Sequence, residues 1–316
     1  MNLCYFPGAN TGSGFYSLFS GIVQGGKPHY TYVLKGGPGV GKSTLMKTVA
    51  ARAAARGYTV EEFHCASDPQ SFDAVRIVER ATVLLDGTAP HTIDPLYPGI
   101  SGETLNLGIF KDKDAFAAQK AEVEAIAAQN RRAYTEAYAA LAAASALQTA
   151  ARDGVRSIEK TAFARAEKLL AAESAGDTRS LFIASATPCG SVDYLCNYAG
   201  SERIEFAGFA GLCALNDLAK RAAGKAVTRF ADFITPSDTF ALWLPSARAL
   251  LCRAPAEEDG FAGAAQAQIG ALTALANDSL KSCLALHDRI EEIYRPFVDY
   301  AAVSEQTERL LRKLDL

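Results

Sequence analysis

The stretch GGPGVGKS, residues Gly36–Ser43, constrains this chain more than any other feature, because it matches the pattern G-x-x-x-x-G-K-[ST] in full. Before it, Tyr30–Leu34 is aromatic and β-branched, which predicts a strand. After it, Leu45, Val49 and Ala53 fall on one face of a predicted helix. A strand, a glycine-rich loop and a helix in this order are typical of a P-loop, in which backbone amides and the helix N-terminus bind phosphate groups.

This loop predicts a bound nucleotide, and we expect the ligand to be ATP with Mg²⁺. Lys42 is expected to bridge the β- and γ-phosphates, and the Ser43 hydroxyl is expected to bind Mg²⁺. The residues predicted to bind the nucleotide are Gly37, Pro38, Gly39, Val40, Gly41, Lys42, Ser43 and Thr44.

Another apolar strand is predicted at Ala81–Asp86, and it ends in a carboxylate. In P-loop folds an acid at this place helps to hold the Mg²⁺ shell, so Asp86 is predicted to be the second metal residue. Gly87 and Thr88 follow it, where many mechanical ATPases have a glutamate that polarises water. The sequence therefore does not support efficient hydrolysis through that base.

Three further residues follow predicted strands, at the sheet edge where ligands of open α/β folds bind. They are His64 and Asp68, after the strand Tyr58–Phe63, and His91, beyond the strand that ends at Asp86. We predict that they are catalytic, as a water-orienting base, a γ-phosphate sensor or a substrate ligand. The alternative is that the two histidines are turn residues whose hydrogen bonds are local. Ligand spacing gives no support for a metal site among His64, Cys65, His91 and Asp94.

The predicted fold is α/β, a P-loop NTPase core with a mostly parallel sheet flanked by helices. Helical periodicity over about residues 111–175 predicts a long helical hairpin after the first α/β unit. We divide the chain into an active P-loop unit, residues 1–176, and a second unit, residues 177–316, which ends in helices from about residue 257.

The second unit repeats the first in the same order, which favours an internal duplication. FPGANTGSG corresponds to FIASATPCG, so that Thr11 falls on Thr187. VLKGGPGVGKSTL corresponds to EFAGFAGLCALNDL, with Gly36 on Gly208 and alanine at position 214 in place of Lys42. No acid replaces Asp86. The second loop is therefore interpreted as degenerate, and one nucleotide site is predicted, in the first half.

The motifs GANTGSGF, YVLKGGPGVGKSTLMK, FHCASDPQSFD and LLDGTAPHTIDPLYPG together resemble an uncharacterised bacterial family of tandem P-loop ATP-binding proteins and ATPases. The resemblance covers most of the chain and is strongest over residues 5–107. It implies ATP binding and two P-loop-like halves, but no particular reaction. In that family the second half often keeps a P-loop pattern, from which FAGFAGLCALNDL departs.

Composition excludes several classes of function. A net charge of −3 gives no basic surface for nucleic acid. No apolar run is long enough to span a membrane, and the start MNLCYFPGAN has no signal-peptide pattern, which predicts a cytoplasmic protein. The seven cysteines are never spaced as C-x-x-C, which indicates reduced thiols and argues against a structural zinc site.

Three functions stay open at this point. The first is a Mg²⁺–ATP-binding NTPase that is slow, or that is stimulated by a protein partner. The second is a kinase for a small molecule, in which Asp68 or Asp73 accepts the substrate proton. The third is a non-catalytic switch ordered by ATP. The oligomeric state is not predicted.

Overall fold

The computed structural model describes residues 2–23, 29–112 and 116–316. Within these ranges the protein is α/β with mixed sheets, so the predicted class is confirmed. The chain divides into two compact units, each assembled from separate segments. Unit 1 comprises Met1–Pro7, Lys27–Thr135 and Ser279–Leu316, and unit 2 comprises Gly8–Gly26 and Glu136–Asp278. The linear division at residue 176 stays a prediction about folding units.

The described strands, in chain order, are β1 (Asn2–Tyr5), β2 (Gly8–Thr11), β3 (Gly14–Ser17), β4 (Tyr30–Lys35), β5 (Val60–His64), β6 (Phe72–Ile77), β7 (Thr82–Asp86), β8 (Gly102–Asn106), β9 (Arg179–Leu181), β10 (Ala184–Thr187), β11 (Gly190–Asp193), β12 (Glu202–Ala207), β13 (Thr228–Ala231), β14 (Thr239–Leu244) and β15 (Ala249–Ala254). The described α-helices are α1 (Ser20–Val23), α2 (Lys42–Ala55), α3 (Lys120–Asp153), α4 (Lys160–Ala171), α5 (Gly208–Arg221), α6 (Gly260–Tyr294) and α7 (Tyr300–Lys313). Short 3₁₀ helices cover Leu107–Phe110, Leu195–Tyr198 and Arg295–Phe297. No helix in the described ranges is both long and apolar enough to cross a membrane.

Unit 1 contains a six-stranded sheet in the order β1-β5-β6-β7-β4-β8. The P-loop strand β4 is parallel to both of its neighbours, β7 and β8, whereas β6 is antiparallel to β5 and β7. The sheet is therefore mixed: five of its six strands run in one direction, and β6 runs against them. The reason is the length of the connections: residues 65–71 and 78–81 are too short for a crossover helix, so they join antiparallel neighbours.

The core of unit 1 lies between this sheet and two helices. Leu34 on β4 and Leu84 on β7 are fully buried and pack with Leu45 of α2 and Leu310 of α7. Replacing a buried leucine such as Leu45 by alanine typically costs about 2–5 kcal/mol of stability. The packing of α2 on the sheet fixes the position of its N-terminus, where the P-loop ends.

Unit 2 contains a five-stranded sheet in the order β12-β15-β14-β13-β9. In this order its strands correspond to β4, β7, β6, β5 and β1 of unit 1. As in unit 1, both outer pairs are parallel, since β12 is parallel to β15 and β13 to β9, and the middle strand β14 is antiparallel to both neighbours. A second sheet in unit 2 has the order β11-β10-β2-β3. The two main sheets therefore share strand order and strand direction.

The hairpins β2–β3 and β10–β11 use the same turn. The Thr11 hydroxyl donates to the carbonyl of Gly14 at 2.8 Å, and the Thr187 hydroxyl donates to the carbonyl of Gly190 at 2.7 Å. Both glycines have a positive φ, 93° and 101°, which favours glycine. The sequence match of Thr11 with Thr187 thus corresponds to a repeated local structure.

Helices lie where helical periodicity predicted them. The helix α3 ends at Asp153, and α4 follows from Lys160, so two helices occupy most of the predicted helical region 111–175. In the C-terminal region, α6 and α7 are separated by the 3₁₀ helix Arg295–Phe297, which contains Pro296. Proline lacks the amide that would continue a helical hydrogen-bond ladder.

Candidate nucleotide site

The P-loop joins the end of β4 to the start of α2. Gly39 and Gly41 have φ angles of 69° and 92°, in the left-handed region that side-chain-bearing residues rarely adopt. This backbone path leads directly into Lys42, the first residue of α2. The local structure therefore has the strand–loop–helix order that the motif requires for binding phosphate.

Lys42 and Asp86 lie side by side. The Lys42 Nζ atom donates to the carbonyls of Gly36 and Gly37 at 2.7 and 2.9 Å, and it lies 3.6 Å from Asp86 Oδ2. Both side chains are mostly buried, with 11% and 14% exposed. The parallel pairing of β4 with β7, which aligns Leu34 with Asp86, brings these two residues together.

The Ser43 hydroxyl is also held in place. It accepts a hydrogen bond of 3.0 Å from the backbone amide of Phe72, the first residue of β6. Thr44, another predicted nucleotide residue, is exposed on the first turn of α2. The structure thus brings Lys42, Ser43 and Asp86 to one end of the sheet in unit 1.

The position after Asp86, occupied by Gly87, has no room for a glutamate. A Cβ atom at this position would lie 2.3 Å from Val33 Cγ1 and 2.8 Å from the carbonyl oxygen of Ile93. No side chain fits there without a backbone shift. The next residue, Thr88, donates its amide and hydroxyl to Asp86 Oδ1 at 2.8 and 2.6 Å, which fixes the Asp86 carboxylate.

Asp73 is a buried acid beside Asp86. Ala74 pairs with Leu85 across the antiparallel strands β6 and β7, so the next residues along, Asp73 and Asp86, are neighbours. Burial, followed by the negative charge of Asp86, raises the pKa of Asp73 to about 7. Its Oδ2 atom is buried and has no hydrogen-bond partner among the residues that the structure describes. A carboxyl group with this pKa is suited to accept a proton near neutral pH.

Of the three residues predicted to be catalytic, His91 is the one that lies near the charges of Lys42 and Asp86. It is buried, and burial lowers its pKa, while the nearby Asp86 carboxylate raises it and Lys42 lowers it. The imidazole is therefore neutral at pH 7 and close enough to Asp86 and Lys42 to respond to their charges.

His64 and Asp68 have other surroundings. His64 Nδ1 bonds the carbonyl of Pro69 at 2.7 Å, and its Nε2 atom lies 4.0 Å from Glu62. The Asp68 carboxylate accepts from the amide of Gln70 at 3.1 Å and from the Ser71 hydroxyl, which is an Asx-type turn. The hydrogen bonds given above for these two side chains are thus local, and the His64 ring also packs against Phe6 and Phe72.

Residues from the C-terminal part of unit 1 contact the P-loop, and no pattern in the sequence predicted these contacts. The Gly39 amide donates to the Glu291 carboxylate at 3.1 Å, and the Tyr300 hydroxyl donates to the Gly39 carbonyl at 2.7 Å. A hydrogen bond from His287 lowers the pKa of Glu291, so the carboxylate is ionised. A P-loop amide that can bind phosphate is therefore bonded to an internal anion.

The corresponding place in unit 2 is built differently. The helix α5 begins at Gly208, immediately after β12 ends at Ala207, so residues 208–214 are helical turns and not a degenerate loop. The amide of Phe209 donates to the Glu258 carboxylate at 2.8 Å. Phe206 of β12 pairs with Arg253 of β15, as Leu34 pairs with Asp86 in unit 1. An arginine thus occupies the strand position equivalent to Asp86.

The helical start of α5 has a packing cause. A Cβ atom at Gly211 would lie 2.2 Å from the Phe206 carbonyl oxygen, so the absence of a side chain lets the helix approach the strand closely. The glycines that suggested a loop in the sequence serve helix–strand packing and the turn into the helix.

Comparisons with protein-family models, with curated proteins and with solved structures found no match to this chain. The functional argument therefore depends on the geometry of the site itself.

Proposed function

We propose that this protein is a Mg²⁺–ATP-binding P-loop NTPase with one nucleotide site, in unit 1. The observation that carries the proposal is the pairing of Lys42 with Asp86 at 3.6 Å at the start of α2. A cation for the phosphates and a carboxylate for the Mg²⁺ shell are the two charges that this site requires. The matching strand orders and hairpin turns of the two units support an internal duplication of the P-loop core.

Within this proposal Asp73 is the general base that orients and deprotonates the attacking water. It replaces the glutamate that position 87 cannot accommodate. His91, beside Asp86 and Lys42, interacts with the developing charge at the γ-phosphate. His64 and Asp68 are assigned no part in this chemistry. His64 bonds Pro69 and packs against Phe6 and Phe72, and Asp68 bonds Gln70 and Ser71. A slow hydrolysis is expected while the Glu291 carboxylate competes for the Gly39 amide.

A small-molecule kinase is the second candidate, and the properties of Asp73 favour it equally. A buried carboxyl group with a pKa of about 7 accepts a proton from an acceptor hydroxyl as readily as from water. The two functions differ in their products. Hydrolysis yields ADP and inorganic phosphate in equal amounts, whereas a kinase yields ADP in excess of phosphate once its acceptor is added.

The proposal is tested by measuring ADP and phosphate formation by the wild type and by Asp86→Asn at increasing Mg²⁺. We expect turnover to fall at least about tenfold in Asp86→Asn, since a contact to a charged group typically contributes ~1.5–3 kcal/mol. Asp112→Asn, at an exposed position, is the matched control and should behave as the wild type. Equal Mg²⁺-dependent turnover in Asp86→Asn and the wild type would remove Asp86 from the metal site.

A further inference from the structure

Three side chains of different chemistry meet on the neighbouring strands β1 and β5 of unit 1. Cys4 pairs directly with Glu62 across the parallel strands, and His64 lies two residues beyond Glu62. The Cys4 Sγ atom lies 3.8 Å from Glu62 Oε2, and His64 Nε2 lies 4.0 Å from the same oxygen. One ligand atom from each residue lies within 4.8 Å of the other two.

The orientation of the His64 ring is fixed by its surroundings. A carbonyl can only accept, so the 2.7 Å bond to Pro69 assigns the proton of His64 to Nδ1. The lone pair is then on Nε2, which faces Glu62. The ring also makes edge contacts with Phe6 and Phe72, at centroid distances of 6.5 and 5.0 Å. A histidine whose second nitrogen donates to a carbonyl is the usual arrangement of a metal ligand.

The Glu62 carboxylate is oriented in the same way. Its Oε1 atom accepts a hydrogen bond of 2.6 Å from the Asn2 side chain, while Oε2 faces Cys4 and His64. The side chains of His64 and Glu62 are 14% and 15% exposed, so the cluster is mostly buried. The ligands of the cluster are thus oriented by their own hydrogen bonds, which is one requirement of a metal site.

We propose that Cys4, Glu62 and His64 form a binding site for a transition-metal ion of the Zn²⁺ type. Typical Zn²⁺ bond lengths and tetrahedral angles place ligand atoms about 3.4–3.6 Å apart. The three ligand atoms lie within 4.8 Å of one another, so they have to approach by roughly 0.3 to 1.2 Å to complete the geometry. On binding, the Cys4 thiol releases its proton to solvent, and the thiolate and carboxylate charges balance the 2+ ion. A fourth position is left for water or another ligand.

The proposed ion differs from that of the P-loop. A thiolate and an imidazole favour Zn²⁺ or Co²⁺, whereas Mg²⁺ prefers oxygen ligands alone. The proposed ligands come from the two strands β1 and β5 and not from one loop, so no C-x-x-C spacing marks them in the sequence. This proposal does not depend on the nucleotide site, and it gives His64 a role as a metal ligand.

The test is a Co²⁺ titration of the metal-free, full-length protein in excess Mg²⁺, followed by absorption. We expect one equivalent of Co²⁺ to produce a thiolate-to-metal charge-transfer band, displaced by one equivalent of Zn²⁺. Cys4→Ser should abolish the band, and His64→Ala should weaken Co²⁺ affinity at least about tenfold. Cys196→Ser, at an exposed cysteine, is the control and should keep the band.

A second measurement on the wild type guards against misfolding of the variants. Alkylation of each cysteine is measured by peptide mass spectrometry with and without Zn²⁺. We expect Zn²⁺ to protect Cys4 and to leave Cys196 reactive. A charge-transfer band that persists in a folded Cys4→Ser variant, or Zn²⁺ binding without protection of Cys4, would overturn the proposal. Neither result bears on Mg²⁺–ATP binding, which is measured separately.

Discussion

Asp73 is a buried carboxyl group whose pKa of about 7 links the stability of unit 1 to its proposed chemistry. The ionised form is disfavoured by burial and by the charge of Asp86. The same ionised form is the one that can accept a proton from water. A residue kept for catalysis at the expense of stability has this pair of properties.

The proposed role of Asp73 as a base predicts that turnover depends on pH. Because the base must be deprotonated, the turnover number should rise as the pH increases through about 7 in the wild type. Asp73→Asn should lower turnover by about 10²–10⁴-fold and remove this rise. Asp112→Asn should keep both. The measurement is phosphate release by the three proteins between pH 5.5 and 8.5. If Asp73→Asn has the same pH dependence of turnover as the wild type, Asp73 is excluded as the base.

The stability part predicts the opposite effect of the same substitution. The folded-state pKa of Asp73 is raised above its ordinary value of 3.8, so between these values the folded protein holds a proton that the unfolded chain releases. The free energy of unfolding therefore falls as the pH rises from about 4 to about 7, and the penalty is fully present above that range. Asparagine resembles the neutral acid and avoids the penalty.

We thus expect Asp73→Asn without ligand to be more stable than the wild type at pH 8, and to unfold at a higher temperature. The increase in unfolding free energy should be on the order of a few kcal/mol. The difference should shrink towards pH 4. Thermal unfolding followed by circular dichroism at both pH values is the measurement. A variant that is less stable than the wild type at pH 8 would contradict the raised pKa.

The strand–loop–helix order around Lys42 could be predicted because its signal is local: strand, glycines, lysine and helix are consecutive. The position of Asp86 at a strand end is a local feature too. The roles of these residues in nucleotide binding stay predictions. The pairing of Asp73 with Asp86 depends on β6 being antiparallel to β7, which a single-sequence pattern does not give. For the same reason the sequence did not distinguish Asp73 from Asp68, because both acids lie near strand ends.

At the scale of elements, the C-terminal end of α6 and the start of α7 contact the P-loop. Glu291 on α6 accepts from the Gly39 amide, and Tyr300 at the start of α7 donates to the carbonyl of the same glycine. The ring of Tyr294 lies so close to Gly37 that an added Cβ there would be 2.8 Å away. A nucleotide that uses the Gly39 amide has to displace Glu291.

This competition predicts that Glu291→Gln binds Mg²⁺–ATP more tightly than the wild type. Loss of one charge-assisted contact typically amounts to ~1.5–3 kcal/mol, or about ten- to a hundred-fold in affinity. Glu292→Gln, at the exposed neighbouring position, removes the same charge and should leave the affinity unchanged. Fluorescence titration with a labelled ATP analogue compares the three proteins. Weaker binding by Glu291→Gln would show that the carboxylate supports the site.

The elements themselves were predicted where periodicity is long. Helices α3 and α6 follow from extended stretches without proline, and strand β4 from its β-branched and aromatic residues. Strand direction and the contacts of Glu291 with Gly39 were not predictable, because both depend on residues far apart in the chain. The start of α5 was misread as a loop, since glycine serves turns and close helix packing alike.

At the scale of the whole molecule, the two units share a strand order, but the proposed phosphate site is in unit 1 alone. Unit 1 has a loop between β4 and α2, whereas in unit 2 the helix α5 follows β12 directly. Ala214, matched to Lys42, is buried in α5, and Arg253 stands at the strand position of Asp86. At these two positions of unit 2 the lysine and the acid that a Mg²⁺–ATP site requires are replaced. The chain is therefore expected to bind one nucleotide.

Calorimetric titration of Mg²⁺–ATP into the wild type, Lys42→Ala and Lys120→Ala tests the central claim most directly. Lys120 is an exposed lysine, 77% accessible, so its replacement removes the same charge outside the loop. The account predicts a stoichiometry near one for the wild type and Lys120→Ala, and no measurable binding by a folded Lys42→Ala variant. Unchanged affinity in Lys42→Ala, or two equivalent sites per chain, would contradict it.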